Sequence, residues 1–255
     1  MENRGLVSII TPCYNSSRFI SETIESILAQ TYPYWELLIT DDCSTDDSVE
    51  IIERYARKDA RVKLFRLERN SGAGVCRNRS IKEAQGRFIA FCDSDDCWLP
   101  QKLERQLAFM LRNQYELTYT SYKTVNEEGR DKGGVKCLPR LSYTTLLRDN
   151  GIGCLTAIYD TARIGKIYMP AIRKRQDWCL WLSIIKKTTY AYGLGEILAV
   201  YRIRKGSVSA NKVEMLRHNF RVYHEVEGFG WFPSTLLLYG YFLPYYFYKK
   251  LRQRM

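Results

Sequence analysis

No two cysteines in this chain form a CxxC pair, although there are eight: Cys13, Cys43, Cys76, Cys92, Cys97, Cys137, Cys154 and Cys179 stand singly. Paired spacing is what a zinc ribbon or a dithiol redox centre needs, so reduced thiols in a cytosolic compartment are expected. Histidine is scarcer still. His218 and His224 are the only two, remote from any cysteine pair, which argues against a structural zinc site. No apolar run approaches the roughly 20 residues that a membrane-spanning helix requires. The opening "MENRGLVSII" lacks the charged start, long apolar stretch and cleavage site of a signal peptide, so the protein is expected to begin in the cytosol. Internal repeats and low-complexity linkers are absent too. The expectation is one domain over residues 1–210 and a C-terminal extension over 211–255.

What is present sets the scale. The chain has 255 residues, 45% of them hydrophobic, enough for a substantial core. Its net charge of +11 attracts polyanions: nucleic acid, an acidic membrane face or a phosphorylated substrate. Charge alone does not choose among them.

The first half alternates two patterns. "LVSIIT", "ELLIT", "VKLFRL" and "RFIAF" have strand length and β-branched or aromatic content, whereas "FISETIESILAQ", "SVEIIERYARK" and "GVCRNRSIKEA" have helical period. Asp47 and Glu50 are spaced like a capping box opening the second helix. Three such repeats predict an α/β fold with a mostly parallel central sheet, right-handed crossovers, and ligands at the carboxyl ends of the strands. Further on, "QKLERQLAFMLRN" reads as a helix and "LTYTSYKTV" as a strand with one wet face. The less regular second half suggests a helix near "LSYTTLLRDN", a strand near "CLTAIYD", a helix "QDWCLWLSIIKK" and a strand "EILAVYRI".

Carboxylates gather where two strands end. Asp41 and Asp42 follow the second strand; Asp93, Asp95 and Asp96 of "FCDSDDCW" follow the fourth. In a parallel sheet both clusters fall on the same edge and converge on one cleft. Clustered carboxylates repel unless a cation or their own protonation relieves them. Asp93 and Asp95 could both present oxygens to Mg²⁺ or Mn²⁺, with open positions left for substrate phosphates. A lone pair of aspartates in a turn is more often a cap, so the context has to decide.

That context is a resemblance. "VSIITPCYNSSRFISETIESILAQTYPYWELLITDDCSTDDS" followed by "NSGAGVCRNRSIKEAQGRFIAFCDSDDCWLP" is similar to the amino half of the family 2 glycosyltransferases, Rossmann-like GT-A enzymes that move a sugar from a nucleotide diphosphate. The resemblance implies that Thr11, Pro12 and Tyr14 lie against the nucleotide base. It implies that Asp42 accepts a hydrogen bond from a uracil-type base with Asp41 in support. Gly72 and Gly74 would permit close backbone approach, and Arg77 and Asn78 would contact nucleotide or diphosphate. Asp93 and Asp95 would be the two ends of the metal motif, with Asp96 coordinating through water or holding the loop. Trp98 would either line the acceptor cleft or join the core. Asp46 and Asp47 are better read as helix caps.

An inverting transfer needs one group to take the acceptor hydroxyl's proton. The resemblance places that base at Asp177, in the acid-aromatic segment "RKRQDWCLWLSII". Arg173, Lys174 and Arg175 just before it would bind a phosphorylated acceptor or simply be solvated. Many relatives carry a downstream histidine, whereas "YRIRKGSVSANK" has Arg204; an arginine cannot ligate metal but can bind diphosphate, with Arg202 or Lys205 adding charge.

The tail "WFPSTLLLYGYFLPYYFYKKLRQRM" joins aromatics to Lys249, Lys250, Arg252 and Arg254. Such a segment favours the headgroup boundary of an anionic bilayer, so a helical extension lying on the inner face of the cell membrane is expected. The expected activity is an inverting, metal-dependent transfer of glucose or galactose from a UDP-sugar to a saccharide on undecaprenyl diphosphate. O-antigen, capsule or exopolysaccharide assembly would be the setting. Two alternatives remain open. A nucleotidyltransferase would need a glycine-rich, lysine-bearing loop where "TPCYNSSRF" stands. A basic nucleic-acid-binding module would have to tolerate acids in its cleft and carries no recognition motif, so no nucleic-acid partner is expected.

Overall fold

The computed structural model describes residues 3–204 and 212–252, the last four of these and Lys212 and Val213 in backbone only. Three βα repeats open the chain: β1 Val7–Cys13, α1 Ile20–Leu28, β2 Trp35–Asp41, α2 Ser48–Lys58, β3 Val62–Arg66 and α3 Ala73–Glu83. Then follow β4 Phe88–Phe91, β5 Cys97–Trp98, α4 Lys102–Arg112, β6 Leu117–Val125, β7 Asp131–Val135, β8 Arg140–Ser142 and α5 Tyr143–Arg148. The remainder is β9 Ile158–Asp160, α6 Thr161–Ile164, α7 Gln176–Thr188, β10 Tyr190–Arg202, α8 Lys212–Arg221, α9 Trp231–Leu236 and α10 Leu243–Arg252.

The strands lie in the order β3-β2-β1-β4-β9-β6-β10-β5, with β7 on β6 and β8 on β10. The first four are parallel, as the βα alternation requires. β9 then runs antiparallel between β4 and β6, and β10 is parallel to β6. The sheet is thus parallel in its first half and mixed in its second.

Side-chain alternation explains the two layers. Ile9, Leu37, Ile39, Phe88 and Ala90 face one core with Ile20, Ile24 and Ile27 of α1 and Leu103 and Leu107 of α4. Ile10, Leu38, Ile89 and Phe91 face the other, against Ile81 of α3 and Trp178 and Trp181 of α7. A strand covered on both faces needs continuous apolar character, which is why these strands read as unbroken runs. Each such side chain fully buried contributes about 1.5–3 kcal/mol.

The helical extension divides its faces. Val222, Tyr223, Leu238 and Phe242 are buried in the second core, so the tail packs on the domain. Trp231, Phe232, Leu236, Tyr239 and Phe247 project outward. No helix among the described residues is long and apolar enough to cross a membrane.

The capping box needs correction. Asp47 holds the N-cap position of α2 without a side-chain bond. Asp46 does the work instead, accepting from the Ser48 and Ser17 N–H groups, each at 3.0 Å. Burial opposes its charge, but bonds from Ser48 and Ser17 outweigh it and hold the carboxyl at about 2. Asp46 wins because one carboxylate there ties the loop after β1 to the start of α2.

Candidate active site

Strand register brings the acids together. Cys13 pairs with Asp41 and Ile10 with Phe91, while the Asp42 N–H donates to the Cys13 carbonyl at 2.8 Å and the Cys92 N–H to the Ile10 carbonyl at 3.1 Å. The carboxyl end of β1 therefore lies between the two acidic strand ends. On either side of β1 the chain winds away in opposite directions, the place where open α/β sheets bind ligands. Thr11 and Pro12 are buried in this strand, Thr11 Oγ1 lacks a partner among the described residues, and Tyr14 beyond it is half exposed.

Asp42 organises the loop before α3. Its carboxylate accepts from the N–H groups of Ser71 at 2.6 Å and Gly72 at 2.8 Å. Two bonds leave part of a carboxylate's acceptor capacity free for a base. Gly72 has φ +89°, a left-handed conformation that costs glycine least. Asp41 is turned into its own loop, accepting from the Ser44 N–H at 3.0 Å and from the Ser44 hydroxyl. Asn78 is engaged at both ends of its amide: Oδ1 accepts from the Met169 N–H and Nδ2 donates to the Met169 carbonyl, both at 2.8 Å. It clamps the 167–170 segment with its oxygen and one of its two N–H donors.

The "DSDD" turn is held on three sides. Ser94 Oγ meets Ser16 Oγ at 2.8 Å, the Thr23 hydroxyl donates to the Asp96 carbonyl, and the Arg202 N–H donates to Asp96 Oδ1 at 2.9 Å. Asp96 is buried, and burial with its neighbours Asp95 and Asp93 pushes its carboxyl well up. Asp96 thus holds the loop. Trp98 belongs to the core, its indole N–H donating to the Leu155 carbonyl at 2.9 Å.

Asp93 and Asp95 are each met by an arginine. Arg77 Nη2 lies 2.6 Å from Asp93 Oδ1, and Arg204 Nη1 3.2 Å from Asp95 Oδ2. Burial opposes the charge on Arg77, yet Asp93, Cys154 and Asp177 outweigh it and raise its pKa. The same set surrounds Cys154, whose thiol is pushed up by burial while Arg77 opposes. Arg77 is thus ion-paired with the metal-motif acid Asp93 and within electrostatic reach of the expected base Asp177.

Asp177 occupies the first turn of α7, where the helix dipole favours a carboxylate. Asn150, between α5 and β9, donates from Nδ2 to Asp177 Oδ2 at 2.9 Å. This contact had no signal in the sequence, because 27 residues separate the pair and the loop is irregular. Close packing holds the helix start in place. A Cβ on Gly74 would lie 2.9 Å from the Gln176 side chain, so a larger residue there would press on the head of α7.

Among the described residues no three His, Cys, Asp or Glu side chains gather to enclose a metal ion. Asp93 and Asp95 offer two carboxylates at most. Burial and then Asp93 raise the Asp95 carboxyl, the excess of negative charge that a divalent cation relieves. Mg²⁺ is commonly held by one or two carboxylates plus substrate phosphates and water, so the pair fits such an ion once a diphosphate is present. Lys205 and Arg254, expected to add charge, lie outside the described residues, as do the side chains of Lys249, Lys250 and Arg252.

A GT-A-type Rossmann-like sheet with acids at the β1–β4 switch and a further acid at the head of α7 defines a sugar-transferring enzyme. The chain belongs to glycosyl transferase family 2, whose model matches residues 8–165, and it is a glycosyltransferase. It is 42% identical to TuaG of Bacillus subtilis, assigned to teichuronic acid biosynthesis, over 91% of this chain and 92% of that one. It is 40% identical to WfgD of Escherichia coli, a UDP-Glc:α-D-GlcNAc-diphosphoundecaprenol β-1,3-glucosyltransferase, over 85% of each chain. Among solved structures, S. aureus TarS 1-349 in complex with UDP superposes with TM-score 0.69 at 25% identity, covering 92% of this chain and 70% of that one. The nucleotidyltransferase and nucleic-acid-module readings give way to this membership.

Proposed function

We propose that the protein is an inverting, metal-assisted hexosyltransferase that moves glucose or galactose from a UDP-sugar to a saccharide on a lipid diphosphate such as undecaprenyl diphosphate. The setting is bacterial O-antigen, capsule or exopolysaccharide assembly. The observation that carries the reading is the Arg77–Asp93 ion pair at the acidic strand ends, with Asp177 near enough to act on the same guanidinium. WfgD and a second E. coli relative, WfaP, 38% identical, are both glucosyltransferases acting on GlcNAc-diphosphoundecaprenol, which supports the choice of donor and acceptor.

In the reaction the acceptor hydroxyl oxygen attacks the anomeric carbon from the face opposite the diphosphate. The carbon–oxygen bond to the diphosphate breaks, UDP leaves with the bonding electrons, and the acceptor proton passes to Asp177. Asn150 orients that carboxylate. Thr11, Pro12, Tyr14 and Asp42 hold the nucleotide, and Arg77 and Arg204 lend positive charge to the diphosphate. A Mn²⁺ or Mg²⁺ ion held by Asp93 and Asp95 would neutralise charge on the departing phosphate.

Residues 1–210 form the catalytic body and 211–255 the extension. The outward Trp231, Phe232, Leu236 and Tyr239 rest on the inner leaflet, where a lipid-borne acceptor is presented. The test is a panel of UDP-sugars with a synthetic GlcNAc-diphosphate-lipid and Mn²⁺. Asp177→Asn should lower turnover by about 10²–10⁴-fold, the usual contribution of a general base. Asp95→Ala should abolish metal stimulation. Near-native turnover by Asp177→Asn removes the base assignment, and metal-free activity in Asp95→Ala at the native rate removes the cation.

A further inference from the structure

We propose that Arg175 and Asn219 form an anion subsite for the sugar-linked phosphate of the acceptor, one step along the chain from the base. The proposal rests on Asp177 being that base and names how the acceptor is held beside it.

Arg175 is an unusual residue in three respects. Its backbone sits at φ 67°, ψ 19°, a left-handed conformation that a residue with a Cβ rarely adopts, so local sequence alone does not favour it. Its guanidinium is largely withdrawn from water, and burial lowers its pKa despite the pull of Asp177 and Asp149. Yet among the described residues no carboxylate stands within ion-pair distance of it. The ion pairs nearby belong to its neighbour: Lys174 is bound to Glu214 at 2.8 Å. The stretch 205–213 contributes no acid in its sequence either. A partly desolvated cation with no carboxylate in direct contact is costly, and a bound anion lowers that cost.

Asn219 supplies the second observation. It is fully buried on α8, and its Oδ1 accepts from Arg175 Nε at 2.8 Å. A guanidinium only donates, so the amide oxygen must face it and the NH₂ must point onward. That Nδ2 has no partner among the described residues. Two unspent donors of one amide therefore lie beside an unpaired guanidinium.

The same spot is the start of α7. The first helical bond runs from the Cys179 N–H to the Arg175 carbonyl, so the N–H groups of Gln176, Asp177 and Trp178 precede the ladder. Arg175 itself precedes that helix start, and the planar fork of arginine matches phosphate oxygens. Asp177 lies two residues further on and acts electrostatically on the Arg175 guanidinium, so a phosphate held at Arg175 stands near an acceptor hydroxyl presented to Asp177.

The experiment measures binding and transfer separately. The probes are an alkyl-diphosphate-linked GlcNAc and the matching alkyl glycoside without phosphate. Each is titrated calorimetrically into the full chain saturated with UDP, so that the donor's own phosphate site is filled. Native protein is expected to bind the diphosphate probe at least 10-fold more tightly than the glycoside, the effect of one or two charge-assisted hydrogen bonds. Arg175→Ala should erase that preference. Arg175→Lys, lacking the fork, should restore only part of it. Asn219→Asp sets a carboxylate against the guanidinium and should cost at least fivefold while keeping the fold paired, which covers the case in which Arg175→Ala does not fold. If the diphosphate preference survives in Arg175→Ala, or in Asn219→Asp where the former is unfolded, the subsite is wrong. If native protein binds the diphosphate probe through Arg175 but transfers no hexose to it, the subsite stands and the hexosyltransferase reading falls.

Discussion

Gly74→Ala offers the sharpest test of how Asp177, the proposed base, is placed, because it adds one methyl group against the head of α7. The new Cβ would lie 2.9 Å from Gln176 Nε2, 3.0 Å from its Cδ and 3.1 Å from its Cγ. Ordinary contact begins near 3.4 Å, so something must yield by about 0.5 Å. The Gln176 side chain is poorly placed to yield, since its Nε2 donates to the Ile172 carbonyl at 2.8 Å and the Arg173 carbonyl at 3.1 Å. The displacement should pass to the head of α7 and so to Asp177. A misplacement of 1 Å can cost about 100-fold, so half of that predicts roughly a tenfold fall in kcat. Stability should change little: overpacking costs about 1–3 kcal/mol, and removing a helical glycine returns about 1 kcal/mol. The assay is UDP release at saturating donor and acceptor, with UDP affinity and a thermal melt as controls. In a Gln176→Ala background the same substitution should cost less than twofold. A single variant with kcat within twofold of native, or an equal loss in both backgrounds, refutes the steric coupling.

Two further outcomes follow from features outside the cleft. Lys102 is fully buried, its Nζ bonded to Gln106 Oε1 at 2.7 Å and set over the Trp98 ring, and burial lowers its pKa to about 7. Between pH 7 and 10.5 the unfolded chain binds the proton that the folded one has lost, so stability rises with pH across that window and the full penalty applies below it. Lys102→Met should raise stability near pH 6.5 by about 1–3 kcal/mol after allowing for the stranded Gln106. That gain should vanish by about pH 10.5 in melts run across the range, and a gain independent of pH contradicts the buried charge. Separately, replacing the outward Phe232 and Tyr239 by serine should leave the melt unchanged but weaken sedimentation with anionic vesicles by about tenfold or more. Unchanged sedimentation would leave the tail without a membrane role.

The parallel half of the sheet is legible because β1, β2 and β4 are buried on both faces and so spell near-continuous apolar runs, with acid at the ends of β2 and β4. β9 was seen as a strand near "CLTAIYD", but its antiparallel place between β4 and β6 was not, since a three-residue strand carries no signal of partner or direction. The acids at the two strand ends could be placed on one edge from topology alone. What they bind locally could not: Asp42 fastens backbone N–H groups 29 and 30 residues away. Asn150 and Asn219 were invisible for the same reason, as their roles arise from contacts across irregular segments. The tail was read as lying on a membrane, whereas it divides its faces. Aromatic content predicts affinity for apolar surroundings without saying which surroundings each ring receives.

The late strand β9 also has a consequence for how the protein is made. It closes the gap beside Phe88–Phe91, yet it is synthesised some 70 residues after that strand. Until residue 160 has left the ribosome, the nascent sheet carries a bare, fully apolar edge of the kind that pairs with neighbouring chains. Ordered synthesis of this enzyme therefore turns on shielding that edge during the interval, and a ribosome stalled in the middle of the message would release a fragment primed to aggregate.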